Sequence, residues 1–176
     1  MNLKTIDKFF GVVGLLVVAL AAGFYFSGMR INTTESIPLG LYKIANETAT
    51  KGDYVLFCPT TDDVFVEAKK RGYISIGLCE GSAGLMMKKI LAAKGDVVSS
   101  GVNGVFVNGK KLVNSTPKLK DGNGNLMQIF ETEKVMLDEQ QVLLMSDSSA
   151  NSFDARYFGL VNKSQIKSKI QPVLNW

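Results

Sequence analysis

The strongest candidate nucleophile of the chain is Ser36, in the segment Asn32–Tyr42 (NTTESIPLGLY). It lies two residues before Pro38, in a stretch that favours a turn over a helix. A serine hydroxyl needs a base at neutral pH, and the chain contains no histidine, so a Ser–His–Asp triad is excluded. The proton of Ser36 must therefore go to a carboxylate or to a neutral lysine.

A lysine with the right surroundings lies in the segment Leu85–Leu91 (LMMKKIL). Read as a strand, this segment places Met86, Lys88 and Ile90 on one face and Leu85, Met87, Lys89 and Leu91 on the other, so that both lysines have apolar neighbours on their own side. Burial among apolar groups disfavours the ammonium form and lowers the pKa of a lysine. Lys88 is the candidate base on this pattern. The alternative is an ordinary strand lysine with its ammonium in water.

The composition restricts what else the chain can do. Its 176 residues suffice for one well-buried domain and are short for two. A net charge of +4 without a long Lys/Arg run argues against nucleic-acid binding. Two cysteines and no histidine leave too few ligands for zinc, so we expect no metal and no cofactor.

The N-terminal part is the most hydrophobic of the chain, with 18 uncharged residues from Phe9 to Phe26. A helix of this length spans roughly 27 Å, close to the thickness of a bilayer core. Lysines ahead of it predict a cytoplasmic N-terminus (1–8), a transmembrane anchor (9–28) and an exported domain (29–176). Two alternatives are a signal peptide cleaved near Ala19–Ala21 and a buried core helix.

The remainder predicts a mainly β domain of short strands. Hairpin turns are indicated by Asn103-Gly104 and Asn108-Gly109, which separate Val- and Phe-rich runs. The predicted strands include Leu39–Ile44, Asp53–Cys58, Met86–Ile90, Val135–Leu137, Gln141–Met145 and Ile166–Val173.

One helix is predicted between Cys58 and Cys79, where Thr61 or Asp62 can cap the first turn and Gly72 follows the last. In an exported domain, an even pair of cysteines favours a disulfide, with two buried free thiols as the alternative. The bond would close a helical insertion (58–79) that has little core of its own, and would contribute roughly 3 kcal/mol.

Four motifs carry a resemblance to a known family. NTTESIPLGLY, GDYVLFC, MMKKILAAKGD and LLMSDSSANSFDARYFG occur in the order and spacing of the signal peptidase I family of serine–lysine proteases. The SxPxGLY form and the paired cysteines resemble most closely the TraF-type conjugal-transfer peptidases. The resemblance covers residues 32–176 and implies a signal-peptidase-like β-fold catalytic domain in the periplasm, held by a single N-terminal transmembrane helix.

The resemblance also implies roles for individual residues. Ser36 corresponds to the nucleophile and Lys88 to its general base. The hydroxyl of Thr34, with the backbone N–H of Ser36, corresponds to the oxyanion hole. Ser152 corresponds to a serine that orients the lysine, whereas Lys89 falls at a position that is not the base.

Asp154 and Arg156 correspond to a supporting ion pair. The sequence departs from the general leader peptidases, since only Ile37 separates Ser36 from the following proline, and Ala92 and Lys94 replace their glycine and proline. These departures follow the conjugal-transfer branch.

The function implied by the resemblance is a membrane-anchored serine peptidase that processes a pilin precursor in conjugative DNA transfer and can cyclise it by acyl transfer. Its expected partners are the pilin precursor, the inner membrane and other conjugative transfer or type IV secretion proteins, with no nucleic acid. The alternatives are a non-catalytic scaffold for pilus assembly, a general leader peptidase, and a self-cleaving repressor of the LexA kind.

Overall fold

A computed structural model of the protein describes residues 3–176, with side chains from residue 10 onward. Within this part of the chain the fold is mainly β with little helix, as the sequence predicts. The helices are α1 (Leu3–Phe26), α2 (Asp63–Lys70) and α3 (Ala155–Phe158). The strands are β1 (Met29–Asn32), β2 (Gly40–Ala45), β3 (Tyr54–Phe57), β4 (Met86–Ala92), β5 (Val97–Gly101), β6 (Gly104–Val107), β7 (Lys110–Lys111), β8 (Thr132–Met136), β9 (Gln141–Met145), β10 (Val161–Asn162) and β11 (Ile166–Asn175).

The strands form two antiparallel sheets. A seven-stranded sheet has the order β1-β2-β11-β3-β4-β9-β10, and a four-stranded sheet has the order β7-β6-β5-β8. The central position of β4, between β3 and β9, covers both of its edges with backbone hydrogen bonds. A side chain on the inner face of β4 is therefore held on a strand that cannot move independently.

The predicted hairpins are present, with one turn displaced. Strands β6 and β7 are joined by Asn108 and Gly109, which both have positive φ, as the Asn-Gly signature predicts. In the β5–β6 hairpin Gly101 pairs with Gly104, so the two-residue loop is Val102-Asn103 and begins one residue before the predicted dipeptide.

Three clusters of buried side chains make up the core. The largest lies on the β3–β4 face of the large sheet and includes Phe57, Ile90 and Leu144. A second combines residues of both sheets and thereby joins them. The third, a small cluster, is centred on Ile37 and Tyr42 and lies directly under the Ser36 segment.

The predicted disulfide between Cys58 and Cys79 is present, and it encloses α2. Asp62 is the N-cap residue of α2, but its side chain makes no capping hydrogen bond. The buried side chains of the insertion belong to the main core and do not form a separate one. Phe65 and Ile74 are buried within the largest core cluster, because apolar residues of the insertion pack against the main sheet.

At the N-terminus, α1 runs for 24 residues before the chain enters β1. No helix in the described part of the chain is long and apolar enough to cross a membrane. Met1 and Asn2 of the predicted cytoplasmic N-terminus lie outside the described residues. The transmembrane anchor over residues 9–28 thus stays a prediction from the sequence.

Candidate active site

Ser36 lies in the loop that joins β1 to β2, and its neighbours fix the course of the backbone. The side chain of Ile37 is completely buried in the small core cluster. The hydroxyl of the buried Tyr42 donates to the carbonyl oxygen of Pro38 at 2.7 Å. Ile37 and Pro38 follow Ser36 directly in the chain. Because these two contacts hold them, the backbone that carries the half-buried Ser36 hydroxyl is held as well.

Lys88 lies on the inner face of β4, on the opposite side of the strand from Lys89, and it is only 2% exposed. Its Nζ lies 2.6 Å from the Oγ of Ser36 and 2.8 Å from the Oγ of Ser152. The two serine hydroxyls are 3.3 Å apart. The structure thus brings together three side chains that are far apart in the sequence.

The surroundings of Lys88 favour its neutral form. Burial lowers the pKa of Lys88 from 10.5 to about 8, while the negative charge of Asp154 raises it and the positive charge of Arg156 lowers it. None of the ion pairs among the described residues includes Lys88. The neutral amine next to Ser36 is therefore far more populated near neutral pH than it is for an ordinary lysine.

Ser152 is held in place by a buried ion pair. Asp154 and Arg156 are both fully buried, and two nitrogens of the guanidinium contact the two carboxylate oxygens at 2.8 and 2.9 Å. Arg156 also donates to the carbonyl oxygens of Ser152 and Ala150, both at 2.8 Å. Because these bonds fix the backbone around Ser152, the pair supports the site without contacting Ser36.

The Asp154 carboxylate in turn ties this loop to the end of β9. It accepts hydrogen bonds from the backbone N–H groups of Ser146 and Arg156. A carboxylate and a guanidinium with this many partners offset the cost of burying both charges. The predicted ion pair of Asp154 and Arg156 is present, and its role as structural support stays a prediction.

Thr34 lies on the same loop as Ser36 and borders the same cavities. Its hydroxyl donates to the Oδ1 of Asn32 at 3.0 Å. In this structure the hydroxyl proton of Thr34 is therefore given to another side chain, and the hydroxyl would have to turn about its Cβ–Oγ bond to donate elsewhere.

Two cavities meet at Ser36. The first, which we call the Lys88 cavity, has a volume of about 380 Å³. It is lined by apolar residues that include Ile31, Ile74, Leu85 and Met87, and by polar residues that include Asn32, Thr34, Ser36, Ser75 and Lys88. The second, the Ser149 cavity, has a volume of about 300 Å³ and is lined by Thr34, Glu35, Ser36, Ser149, Asn151 and Ser152, with Tyr73 and Phe153 as its aromatic wall. A bond placed against Ser36 would thus have different surroundings on its two sides.

The sequence reasoning missed two contributions to this site. Asn32 is buried beneath the loop, and its only signal was its place inside the first motif. Tyr73 and Phe153 border both cavities, and their rings are 5.5 Å apart. Tyr73 belongs to the disulfide-closed insertion, so the insertion supplies part of the cleft wall.

Among the described residues there is no cluster of three metal-ligating His, Cys, Asp or Glu side chains.

The mainly β fold and the Ser36–Lys88 contact are consistent with one family of serine peptidases, and comparison with known proteins identifies it. The sequence matches the family described as signal peptidase, peptidase S26, over residues 4–176. The chain therefore belongs to the peptidase S26 signal peptidase family.

Several similar proteins are named as plasmid or conjugal transfer proteins. A plasmid transfer protein TraF of Escherichia coli is 48% identical over 174 residues, which cover 99% of this chain and 98% of that protein. A probable conjugal transfer protein TraF of Sinorhizobium fredii is 36% identical, covering 94% and 89%. A crystal structure of a signal peptidase I from Enterococcus faecalis has a TM-score of 0.37 at 16% identity, covering 71% of this chain and 98% of that one.

Proposed function

We propose that this protein is a serine endopeptidase in which Ser36 is the nucleophile and Lys88 the general base, and that it processes a pilin precursor in conjugative DNA transfer. The observation that carries the proposal is the distance of 2.6 Å between the Nζ of the buried Lys88 and the Oγ of Ser36. Membership of the peptidase S26 family and similarity to TraF proteins support the reaction type and the setting.

In the proposed mechanism, neutral Lys88 takes the proton of Ser36 while the Oγ attacks a peptide carbonyl carbon. The oxyanion is stabilised by the backbone N–H of Ser36 and by the hydroxyl of Thr34 after it turns from Asn32. The protonated Lys88 then donates to the leaving amine. This leaves an acyl-enzyme on Ser36, which water or a second amine resolves.

We propose that the two cavities hold the two halves of the substrate. The Lys88 cavity would hold the acyl segment against side chains such as Ile74 and Leu85, and the Ser149 cavity would hold the leaving amine and then the incoming nucleophile. When that nucleophile is an amine of the same substrate, the product is a cyclic pilin. Hydrolysis and cyclisation thus differ only in what enters the Ser149 cavity.

Co-expression with the pilin precursor of the same transfer system tests the peptidase proposal. We expect wild-type protein to shorten the precursor, and both Ser36→Ala and Lys88→Ala to leave it intact. Processing by both variants would contradict the dyad and favour a scaffold role. The mass of the mature pilin separates the two outcomes of acyl transfer, because a cyclic product is one water lighter than the linear chain.

We further propose that residues 9–28 hold the protein in the inner membrane, with residues 29–176 in the periplasm. The support is the run of 18 uncharged residues from Phe9 to Phe26 behind a lysine-bearing N-terminus. A reporter enzyme that is active only outside the cytoplasm, fused after Trp176, should be active. An inactive reporter on a stable fusion would contradict this orientation.

A further inference from the structure

Asn32, the last residue of β1, occupies an unusual position beneath the Ser36 loop. It pairs with Gly40, the first residue of β2, so its side chain lies between the two ends of the loop. It is only 3% exposed. A buried side-chain amide needs its hydrogen bonds satisfied, and here all of them go to the loop that carries the nucleophile.

The donor half of the amide holds the loop backbone. The Nδ2 of Asn32 donates to the carbonyl oxygens of Thr34 at 2.7 Å, Ile37 at 2.9 Å and Pro38 at 3.1 Å. These three residues flank Ser36 on both sides. The contacts therefore determine where the Oγ of Ser36 lies relative to β4.

The acceptor half holds the residue that would donate to the oxyanion. The Oδ1 of Asn32 accepts from the backbone N–H of Thr34 at 3.1 Å and from its hydroxyl at 3.0 Å. This pattern determines the orientation of the amide, because a flipped amide would set its NH₂ against a backbone N–H and its oxygen against three carbonyls. The Thr34 hydroxyl has one proton, so the Asn32 oxygen and an oxyanion compete for it.

We infer that Asn32 is a positioning residue for the acyl transfer proposed above: it keeps Ser36 within reach of Lys88 and keeps Thr34 next to the future oxyanion. When the Thr34 hydroxyl turns to the oxyanion, the Asn32 Oδ1 keeps the backbone N–H of Thr34 and the loop does not move. The inference rests on the proposed function, since it concerns the same site.

Such a role acts on the transition state and not on substrate binding. Displacement of a reacting group by about 1 Å can cost about 100-fold in rate, and loss of one oxyanion donor about 100-fold or more. For Asn32→Ala we expect kcat to fall between about 10- and 100-fold, with KM changed less than about threefold.

The test is a double-mutant cycle of Asn32→Ala and Thr34→Val, measured as kcat for precursor cleavage. Because Asn32 acts partly through the Thr34 hydroxyl, we expect the loss caused by Asn32→Ala to be smaller by more than about twofold in the Thr34→Val background. Thr34→Ser, which keeps a hydroxyl, should restore most of the coupling. Additivity within about twofold, or an effect on KM alone, would overturn the inference.

Two controls separate this result from a loss of folding. Asn162→Ala removes another asparagine that accepts a backbone hydrogen bond, from Ser164, in a turn outside both cavities. We expect it to lower stability without changing kcat. If Asn32→Ala does not fold, the cycle is run with Asn32→Ser, which replaces the amide by a single hydroxyl and adds no buried charge.

Failure of the inference is distinguishable from failure of the proposed function. If wild-type protein and Ser36→Ala process the precursor equally, the dyad itself is wrong. If only wild-type protein is active and Asn32→Ala keeps its kcat, the dyad stands and the role of Asn32 does not.

Discussion

Lys88 and Lys89 are adjacent on one strand, yet the two faces of β4 give them opposite properties. Lys88 is buried and contacts two hydroxyls, and burial lowers its pKa to about 8. Lys89 is partly exposed, and its Nζ lies 2.6 Å from a carboxylate oxygen of Asp147 and 5.4 Å from the ring centre of Tyr54. The hydrogen bond to Asp147 raises the pKa of Lys89.

The comparison shows what converts a lysine into a candidate base. Both residues have the same side chain and nearly the same backbone position. Desolvation without a carboxylate partner favours the neutral amine, whereas a carboxylate partner near water favours the ammonium. The direction of the pKa shift therefore follows from the face of the strand.

The largest expected difference between the two lysines is in activity. Lys88→Met should reduce precursor cleavage by at least about 1000-fold, because it removes the base, while Lys89→Met should stay within about threefold of wild type. The two variants make the same chemical change at neighbouring positions, so each controls for the other. An inactive Lys89→Met beside an active Lys88→Met would reverse the assignment.

A smaller loss is expected when Lys88 keeps its amine but loses a hydrogen-bond partner. Ser152→Ala should lower kcat by about 10- to 100-fold, since Ser152 holds the Nζ of Lys88 against Ser36. The matched control is Ser100→Ala, because the Oγ of Ser100 is buried with no partner among the described residues. Equal kcat values for the two variants would argue against an orienting role.

For stability we expect the opposite: replacing Lys88, which should abolish activity, should make the protein more stable. A pKa lowered from 10.5 to about 8 corresponds to about 3 kcal/mol spent on burying the ammonium of Lys88 below pH 8. Between pH 8 and 10.5 the unfolded chain binds more protons than the folded one, so stability rises with pH in this window. Lys88→Met should be more stable than wild type by about 1–3 kcal/mol at pH 7.

Chemical denaturation at pH 7 and pH 10 measures this effect. The stability of Lys88→Met relative to wild type should be smaller at pH 10 than at pH 7. Lys89→Met should have no stability advantage over wild type that shrinks in this way. A Lys88→Met protein that is less stable than wild type at both pH values would mean that Lys88 is not buried as an ammonium.

The smallest effect is expected on the partly exposed face. Asp147→Asn removes the partner of Lys89 and should lower the pKa of Lys89 toward its ordinary value. Exposed ion pairs contribute about 0–1 kcal/mol, so we expect stability and kcat to stay close to wild type. A loss of activity above tenfold would show that this pair takes part in the reaction.

The local part of the site could be predicted from the sequence. Alternation along β4 predicts correctly that Lys88 and Lys89 lie on opposite faces, because side-chain direction in a strand depends only on the parity of the position. Alternation alone does not predict which face is buried, because both lysines have apolar neighbours on their own side. The hairpin turn at Asn108-Gly109 could also be predicted, because the Asn-Gly pair itself is the signal for the turn. The β5–β6 turn was displaced by one residue, because strand pairing and not the Asn-Gly pair alone sets the register.

The rest depends on contacts between distant segments. Ser36 and Ser152 are 116 positions apart, and only the motif resemblance linked them beforehand. The role of Asn32 needs the loop to be closed, since its partners are backbone carbonyls that no side-chain pattern reveals. The packing of the disulfide-closed insertion against Phe153 likewise follows from the assembled core.

The pH dependence of kcat/KM tests the central claim most directly, because this ratio reports the ionisation of groups in the free enzyme. If neutral Lys88 is the base, kcat/KM should rise about tenfold per pH unit below an inflection near the pKa of about 8, and then level off. Lys89→Met should keep this inflection. A wild-type profile that is flat from pH 6 to pH 9 would contradict the assignment of Lys88 as the base.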